Sequence, residues 1–580
     1  MNRGFDFLKR KYYEVLLPNL FVKLSDKLGT ILDVIIVGFL IGSSQLPALN
    51  AVSPFFLISA IIYSLYGQGG SLLAIKAKSD LDDEKANEYF TFSIIGCLLS
   101  CLMYMIFIYI FADSLLHILN IPADIFEVSK TYLLIITSFF TLNAYIQVIS
   151  FFLASDGKAK LTLNAILIAN ILNLALNFIL FEFLGQNIAS IAYALVIGYL
   201  VSAIYISKYY FDKDANFRIS SLSKFSFEKL DKFRRTALRA TPELVARIFL
   251  ALKTTVFVYL CGTYLGAPGL LAFLVYDNVE TLVYLFVSGI VSTASPFITL
   301  FHNEKDYPSV EYITKITSIY VLVFIVIICA IFIIYPEILL VLFNITGYSE
   351  QMVVTLAIRI TSIGLIGRCM CMLIAQYTQA ISASRVSALI NFLREGLLPY
   401  IFIIIFISLL GGVGIWITLA ISDIIPVFVY IAIVLHQKKQ YFTLKNSFLM
   451  IPESVSFHWT SIRGNFEEID DNMQESNKMI IKYIRDLFGD DSLIIIGALE
   501  DIAKNIFTYE KSVSEIDISI IINDGFVVLR CIYDGYAYDP FENSKLLKTS
   551  HIKALNNLNH DFDYYRMFDM NFSYLKVFKD

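Results

Sequence analysis

Apolar runs long enough to cross a bilayer recur along the first 440 residues, separated by short polar breaks. A spanning helix needs roughly 20 mostly apolar residues. Runs near 16–41, 51–75, 89–115, 128–153, 161–184, 187–209, 243–262, 268–297, 313–335, 352–377, 387–410 and 412–436 meet that length. The pattern predicts an all-α polytopic membrane protein with twelve transmembrane helices. An internal echo divides them into two six-helix lobes. "LPALNA" (Leu46–Ala51) answers "APGLLA" (Ala267–Ala272), and "FFLASDGKAKL" (Phe151–Leu161) answers "YTQAISASRVS" (Tyr377–Ser387). Paired repeats suit a substrate site between lobes that rock against each other, which a simple channel does not need.

Beyond residue 440 the period changes. "ESVSFHWTSIR" reads as a strand, while "SNKMIIKYIRDLFG" and "SLIIIGALEDIAKNIFTYEKS" read as helices. "IDISIIIN" and "FVVLRCIYDG" alternate as paired strands, and "HDFDYYRMFDMNFSYLKVF" reads as a closing hairpin. A soluble α/β sandwich domain is expected there. The predicted boundaries are 1–215 for the N-lobe, 216–440 for a linker and C-lobe, and 441–580 for the soluble tail.

The basic residues orient the spans. Lys76, Lys78, Lys85, Lys158, Lys160, the stretch Lys208–Arg239, Lys305 and Arg385 all follow even-numbered spans, whereas the opposite loops offer little beyond Lys130. The positive-inside rule then makes both termini and the tail cytoplasmic, in a cell (inner) membrane. The start of the chain, broken by Lys23, Asp26 and Lys27, reads as a retained lead and not as a signal peptide. Only 16% of residues are charged against 57% hydrophobic, and the net charge is −5. A nucleic-acid partner is not expected. Seven irregularly spaced cysteines point to buried thiols, with neither a disulfide framework nor a metal cluster.

Against this background a few polar residues stand out. Asp33 lies in the apolar run "GTILDVIIVG". A carboxylate at that depth is costly and characteristically relays protons or binds ions; a structural acid near a helix end is the alternative. Asn173 and Asn177, four apart in "ANILNLALNFILF", share one helical face. They suit either ion binding beside an acid or plain interhelical hydrogen bonding. Asp277 and Glu280 form a possible substrate-attracting charge pair, or neutralise Lys253 or Arg359. Glu243, Arg247, Arg368, Arg394, Glu395 and Asp423 add further charge to the second half.

The segments "LDVIIVGFLIGSSQLPALNAVS" and "FFLASDGKAKLTLNAILIANILNLALNFIL", with their echo in the second half, resemble multidrug and toxic compound extrusion (MATE) transporters. The resemblance implies a non-enzymatic secondary transporter exchanging H⁺ or Na⁺ for organic, often cationic, compounds. Asp33 matches the family's first-helix acid and Asn173 its fifth-helix Asn; Asn177 stands where an acid is usual. The implied cation-coupling set is Asp33, Asn173 and Asn177, with no catalytic residue and no resident cofactor.

In the tail, "ALEDIAKNIFTYEKS…IDISIIIN…VVLRCIYDGYAYDPF" resembles the GHKL fold of histidine kinases and anti-sigma-factor kinases. The resemblance implies a nucleotide site at Asp501, Asn505, Gly535 and Asp539. Tyr533 replaces the adenine-contacting acid, and "KLLKTSHIKALNN" contains no glycine for a lid. A vestigial site is therefore expected, with the tail acting in regulation or in binding a cytoplasmic protein partner. The rival readings are a lipid-linked saccharide flippase of the related superfamily and a membrane sensor signalling through the tail.

Overall fold

A computed structural model describes residues 6–42, 45–79, 82–156, 158–183, 187–212, 215–219, 229–304, 306–438, 449–450, 456–463, 485, 488–513, 515–523, 526–542, 546, 549–567 and 570–578. The membrane region contains α1 (Asp6–Ile41), α2 (Leu46–Ala51), α3 (Ser53–Ser79), α4 (Asp83–Ile118), α5 (Ala123–Ser155), α6 (Ala159–Phe183) and α7 (Ile188–Ile206). Its second half contains α8 (Lys229–Asn303), α9 (Tyr307–Ile334), α10 (Glu337–Leu342), α11 (Tyr348–Ala380), α12 (Ser384–Asn391), α13 (Leu398–Leu410) and α14 (Val413–Lys438). Ten stretches among the described residues are long and apolar enough to cross a membrane.

Two features differ from the simple alternation of span and loop. The first concerns α8, which begins at Lys229, inside the stretch 208–239 that the sequence pattern assigns to a connecting loop. It runs for 75 residues and breaks only at Gly266, where φ is 64° and ψ −152°. That backbone region is open to glycine and costly for other residues, so a single Gly divides two long helices with almost no loop.

The second is a π-helical turn, Phe392–Leu397, joining α12 to α13. Pro399 follows it. A proline there has no N–H for the carbonyl four residues back and crowds it, and a widened turn accommodates the fault. The turn carries Arg394 and Glu395.

Helix starts are capped where the chain supplies short polar residues. The Asp82, Asn187 and Asp306 side chains accept hydrogen bonds from the backbone N–H groups of Lys85, Ser190 and Ser309. All seven cysteines are buried and free.

The tail is a five-stranded antiparallel sheet in the order β1-β2-β3-β5-β4. Its strands are β1 (Ser456–Arg463), β2 (Glu515–Asn523), β3 (Phe526–Tyr533), β4 (His560–Met567) and β5 (Met570–Phe578). Helices α15 (Ser492–Tyr509) and α16 (Ser550–Ala554) cover one face. The apolar stripe Ile495, Leu499, Ile502, Ile506 on α15 packs on Val527, Leu529, Cys531 and Tyr533 of β3. The alternate residues Val528 and Ile532, with Met570, Phe572 and Tyr574 of β5, join the core of the membrane region instead. Period-two alternation thus gives the sheet two buried faces, one under its own helices and one against the membrane helices. Most of the segment "SNKMIIKYIRDLFG" lies outside the described residues.

Candidate functional site

Two polar groupings lie within the membrane region. On α6, Asn173 and Asn177 are both buried, and α6 packs against α1 and α7. Asp33 belongs to α1; its side chain lies outside the described residues. The helix carrying the acid and the helix carrying the two amides are therefore packed neighbours.

The second grouping is denser. The Lys253 ammonium and the Arg394 guanidinium both reach Glu395, the latter at 2.9 Å. Arg368 pairs with Glu280 and lies 3.6 Å from both Glu395 and Asp423. Three cations and three carboxylates from α8, α11, the π-turn and α14 are thus drawn together, and their formal charges cancel. Every one of these side chains is at most 14% exposed. Low dielectric strengthens each attraction while making any unpaired charge expensive. The Nε atoms of Arg368 and Arg394 are buried without a hydrogen-bond partner among the described residues.

The pair Asp277 and Glu280 is divided. Glu280 enters this cluster, whereas Asp277 is exposed. Helical spacing of three brings two residues to neighbouring positions on one side, but the edge of the buried face falls between them. Arg359 lies outside the cluster and donates from Nε to the Ile333 carbonyl at 3.1 Å. The side chain of Glu243 lies outside the described residues, and Arg247 stacks over Tyr63 of α3 at 5.3 Å. Sequence spacing within a helix had no means of showing that Arg368, Glu395 and Asp423 meet. The available signal was the presence of both signs of charge inside apolar runs.

The four tail residues are held by internal contacts. Asp501 lies 3.2 Å from His551 Nδ1. Asn505 accepts a 2.6 Å hydrogen bond from the Tyr538 hydroxyl. Gly535 adopts φ 98° in the turn after β3, and Asp539 accepts from the Phe541 N–H at 2.8 Å. Burial pushes the Asp539 carboxyl above its ordinary range. Tyr533 is fully buried and donates to the Tyr538 carbonyl at 2.5 Å. On α15, a Cβ at Gly497 would collide with the His551 ring, so α16 closes directly over the helix that carries Asp501 and Asn505. Among the described residues no group of three or more His, Cys, Asp and Glu side chains is arranged to hold a metal ion.

The helical architecture is that of a polytopic membrane protein. Residues 18–179 match the MatE family model. An inward-facing conformation of a multidrug resistance MATE family transporter of the MOP superfamily superposes with a TM-score of 0.63 at 19% identity, covering 71% of this chain and 96% of that one. An outward-facing conformation of such a transporter gives 0.53 at 19% identity, over 73% and 94% of the two chains. A mutant of the Vibrio cholerae MATE transporter VcmN gives 0.55 at 18% identity, over 75% and 97%. No curated protein matches this chain in sequence. The membrane region therefore has the MATE transporter fold, with the family's sequence pattern over residues 18–179.

Proposed function

We propose that the protein is a secondary active transporter that exports organic, cationic or amphipathic compounds in exchange for H⁺ or Na⁺ by alternating access. The observation that carries this reading is coincidence of position. Asp33, Asn173 and Asn177 all fall within the MatE-matched segment, on the adjoining helices α1 and α6. On this reading twelve spans form two lobes, 1–215 and 216–440, in the inner membrane, with both termini cytoplasmic. Division of α8 at Gly266 into two spans, together with the long helix α1, supports that count.

Asp33 carries the coupling ion. When it is ionised, the Asn173 and Asn177 amides solvate it or share a cation; when it is protonated or ion-bound, one access state is favoured over the other. The bound ion shifts that equilibrium only by its differential affinity for the two states. The tail, 441–580, acts in regulation. Its GHKL-like residues Asp501 and Asn505 are engaged by His551 and Tyr538 of the tail itself, which supports a vestigial nucleotide site over an active kinase. The flippase alternative calls for a cationic cavity, and the pairing of Lys253, Arg368 and Arg394 with carboxylates counts against it.

The test is transport of a fluorescent organic cation in proteoliposomes under an imposed H⁺ or Na⁺ gradient. Wild type moves the cation under one gradient, and Asp33→Asn abolishes that coupling while the melting profile is retained. Full coupled transport by Asp33→Asn refutes the role of Asp33. No movement under either gradient in wild type refutes the exchanger.

A further inference from the structure

The tail is attached to two parts of the membrane region at once. Its stronger attachment is at the turn between α8 and α9. Arg530, at the centre of the membrane-facing side of β3, is fully buried. Its guanidinium reaches Glu304 and Asp306 at 2.5 Å each, its Nε donates to Ser519 at 2.9 Å, and it stacks over Phe301 at 5.5 Å. Burial alone would draw this guanidinium's pKa down, but Asp306 and Glu304 reverse the effect and hold it above its ordinary value. Glu304 also accepts from the Tyr565 and Tyr574 hydroxyls. Asp306 simultaneously caps α9 by accepting from the Ser309 N–H and hydroxyl.

The other attachment is to the start of α1. Arg10 reaches Asp534 at 3.0 Å and Glu515 at 3.2 Å. Phe7 and Leu8 belong to the same apolar core as Val528, Ile532, Met570 and Phe572 of the sheet. Arg10 is 39% exposed, so its ion pairs are weak ones, whereas removing Arg530 would strand two acids against an apolar interface. Met450, on the approach to the tail, adds a bond from its N–H to the Tyr377 hydroxyl of α11 at 3.1 Å.

The first half of α1 lies along the second lobe. Tyr12 bonds Thr317 at 3.0 Å and packs on Phe297, and Asn19 donates to Thr293 at 3.2 Å. Far from the tail, direct contacts latch the two lobes. Asn344 donates to the Gly38 carbonyl, Asn50 to the Leu270 carbonyl, and Asn120 to Thr263. A molecule latched on the far side, with the greater likeness to an inward-facing relative, holds α1 against the second lobe just beyond the residues that the tail grips.

We propose that the docked tail is a brace: the sheet, anchored through Arg530 to the α8–α9 turn, pins the beginning of α1 to the second lobe and stabilises the inward-facing arrangement. Undocking the tail frees α1 to move with the first lobe. This rests on the alternating-access reading and adds to it a defined control surface, formed by Arg530, Glu304, Asp306, Tyr565 and Tyr574.

The experiment uses the full chain in lipid nanodiscs, without substrate or gradient. Because the native cysteines are buried, exposed positions accept spin labels selectively. One pair, Lys9→Cys with Lys315→Cys, reports α1 against α9; a second, Lys553→Cys with Lys315→Cys, reports the tail against α9. Arg530→Glu is expected to lengthen and broaden both distance distributions. Glu304→Gln, a milder change that keeps side-chain size, shifts both in the same direction to a smaller extent and decides the matter if Arg530→Glu does not fold.

A tail distance that shifts while the α1 distance stays fixed overturns the brace, and so does a tail distance unmoved by both variants. Failure of wild-type transport would refute the exchanger reading without altering these distances. Coupled transport with an unmoved α1 would refute the brace alone.

Discussion

The two halves of the membrane region handle buried polarity by opposite means. In the second half, three cations and three carboxylates converge from four segments and cancel. In the first, the buried polar residues Asn173 and Asn177 of α6 are neutral amides, packed beside α1, whose apolar run Gly29–Ile41 carries one acid, Asp33. A mutually neutralised set resists change, because moving a proton or an ion on any member leaves another charge stranded. On the proposed reading, the Asp33 carboxylate instead exchanges its proton or ion with whichever side it faces. On that reading rigidity belongs to the second lobe's interior and responsiveness to the first.

The largest effect that would sharpen this contrast comes from Arg368, which touches three of the carboxylate-bearing segments. Replacing it with Leu leaves Glu280 and Asp423 without their principal counter-charge. Breaking a buried pair in this way costs about 3–5 kcal/mol, read as a large drop in the melting temperature of the detergent-solubilised protein. Asn173→Ala in the first lobe is expected to cost much less stability while impairing coupled transport, and a reversal of that order breaks the comparison.

A smaller effect separates the tail from a nucleotide-binding domain. Tyr538→Phe removes the 2.6 Å bond to Asn505 and is expected to destabilise the tail by about 1 kcal/mol, seen as increased hydrogen exchange in α15. Addition of Mg-ATP to wild type is expected to leave that exchange unchanged. Protection by ATP would restore the active GHKL reading, since a ligand that binds only the folded state stabilises it by mass action.

Much of the fold was legible because the bilayer and the sheet each impose a strict period. The apolar runs foretold where the membrane helices lie, and alternation foretold β2, β3 and the β4–β5 hairpin nearly to the residue. The early start of α8 was hidden because residues 229–242 are charged and polar; hydropathy reports depth in a membrane and says nothing of where a helix continues into water. The site was legible only in part. Asn173 and Asn177 are buried on one helix, as a spacing of four allows. The six-charge cluster depends on contacts between residues far apart in the chain, such as Lys253 with Glu395, which no local period encodes. Nor does local pattern reveal that Arg530, one charge in a strand, faces an acid-bearing turn of the membrane region.

The smallest effect is the sharpest test of where the cluster ends. Asp277 and Glu280 are three residues apart on α8, yet Glu280 pairs with Arg368 and Asp277 is exposed. Asp277→Asn, at an exposed position, is therefore expected to change stability less than Glu280→Gln does. Glu280→Gln unbalances a set whose charges cancel, and its melting temperature should fall well below that of Asp277→Asn. If the two variants melted together, Asp277 would share in neutralising the cluster and the edge drawn between them would be misplaced. If Asp277→Asn left stability intact but weakened transport of a cationic compound, the exposed acid would be a substrate contact. One turn of α8 would then divide the lobe's fixed charges from its working surface.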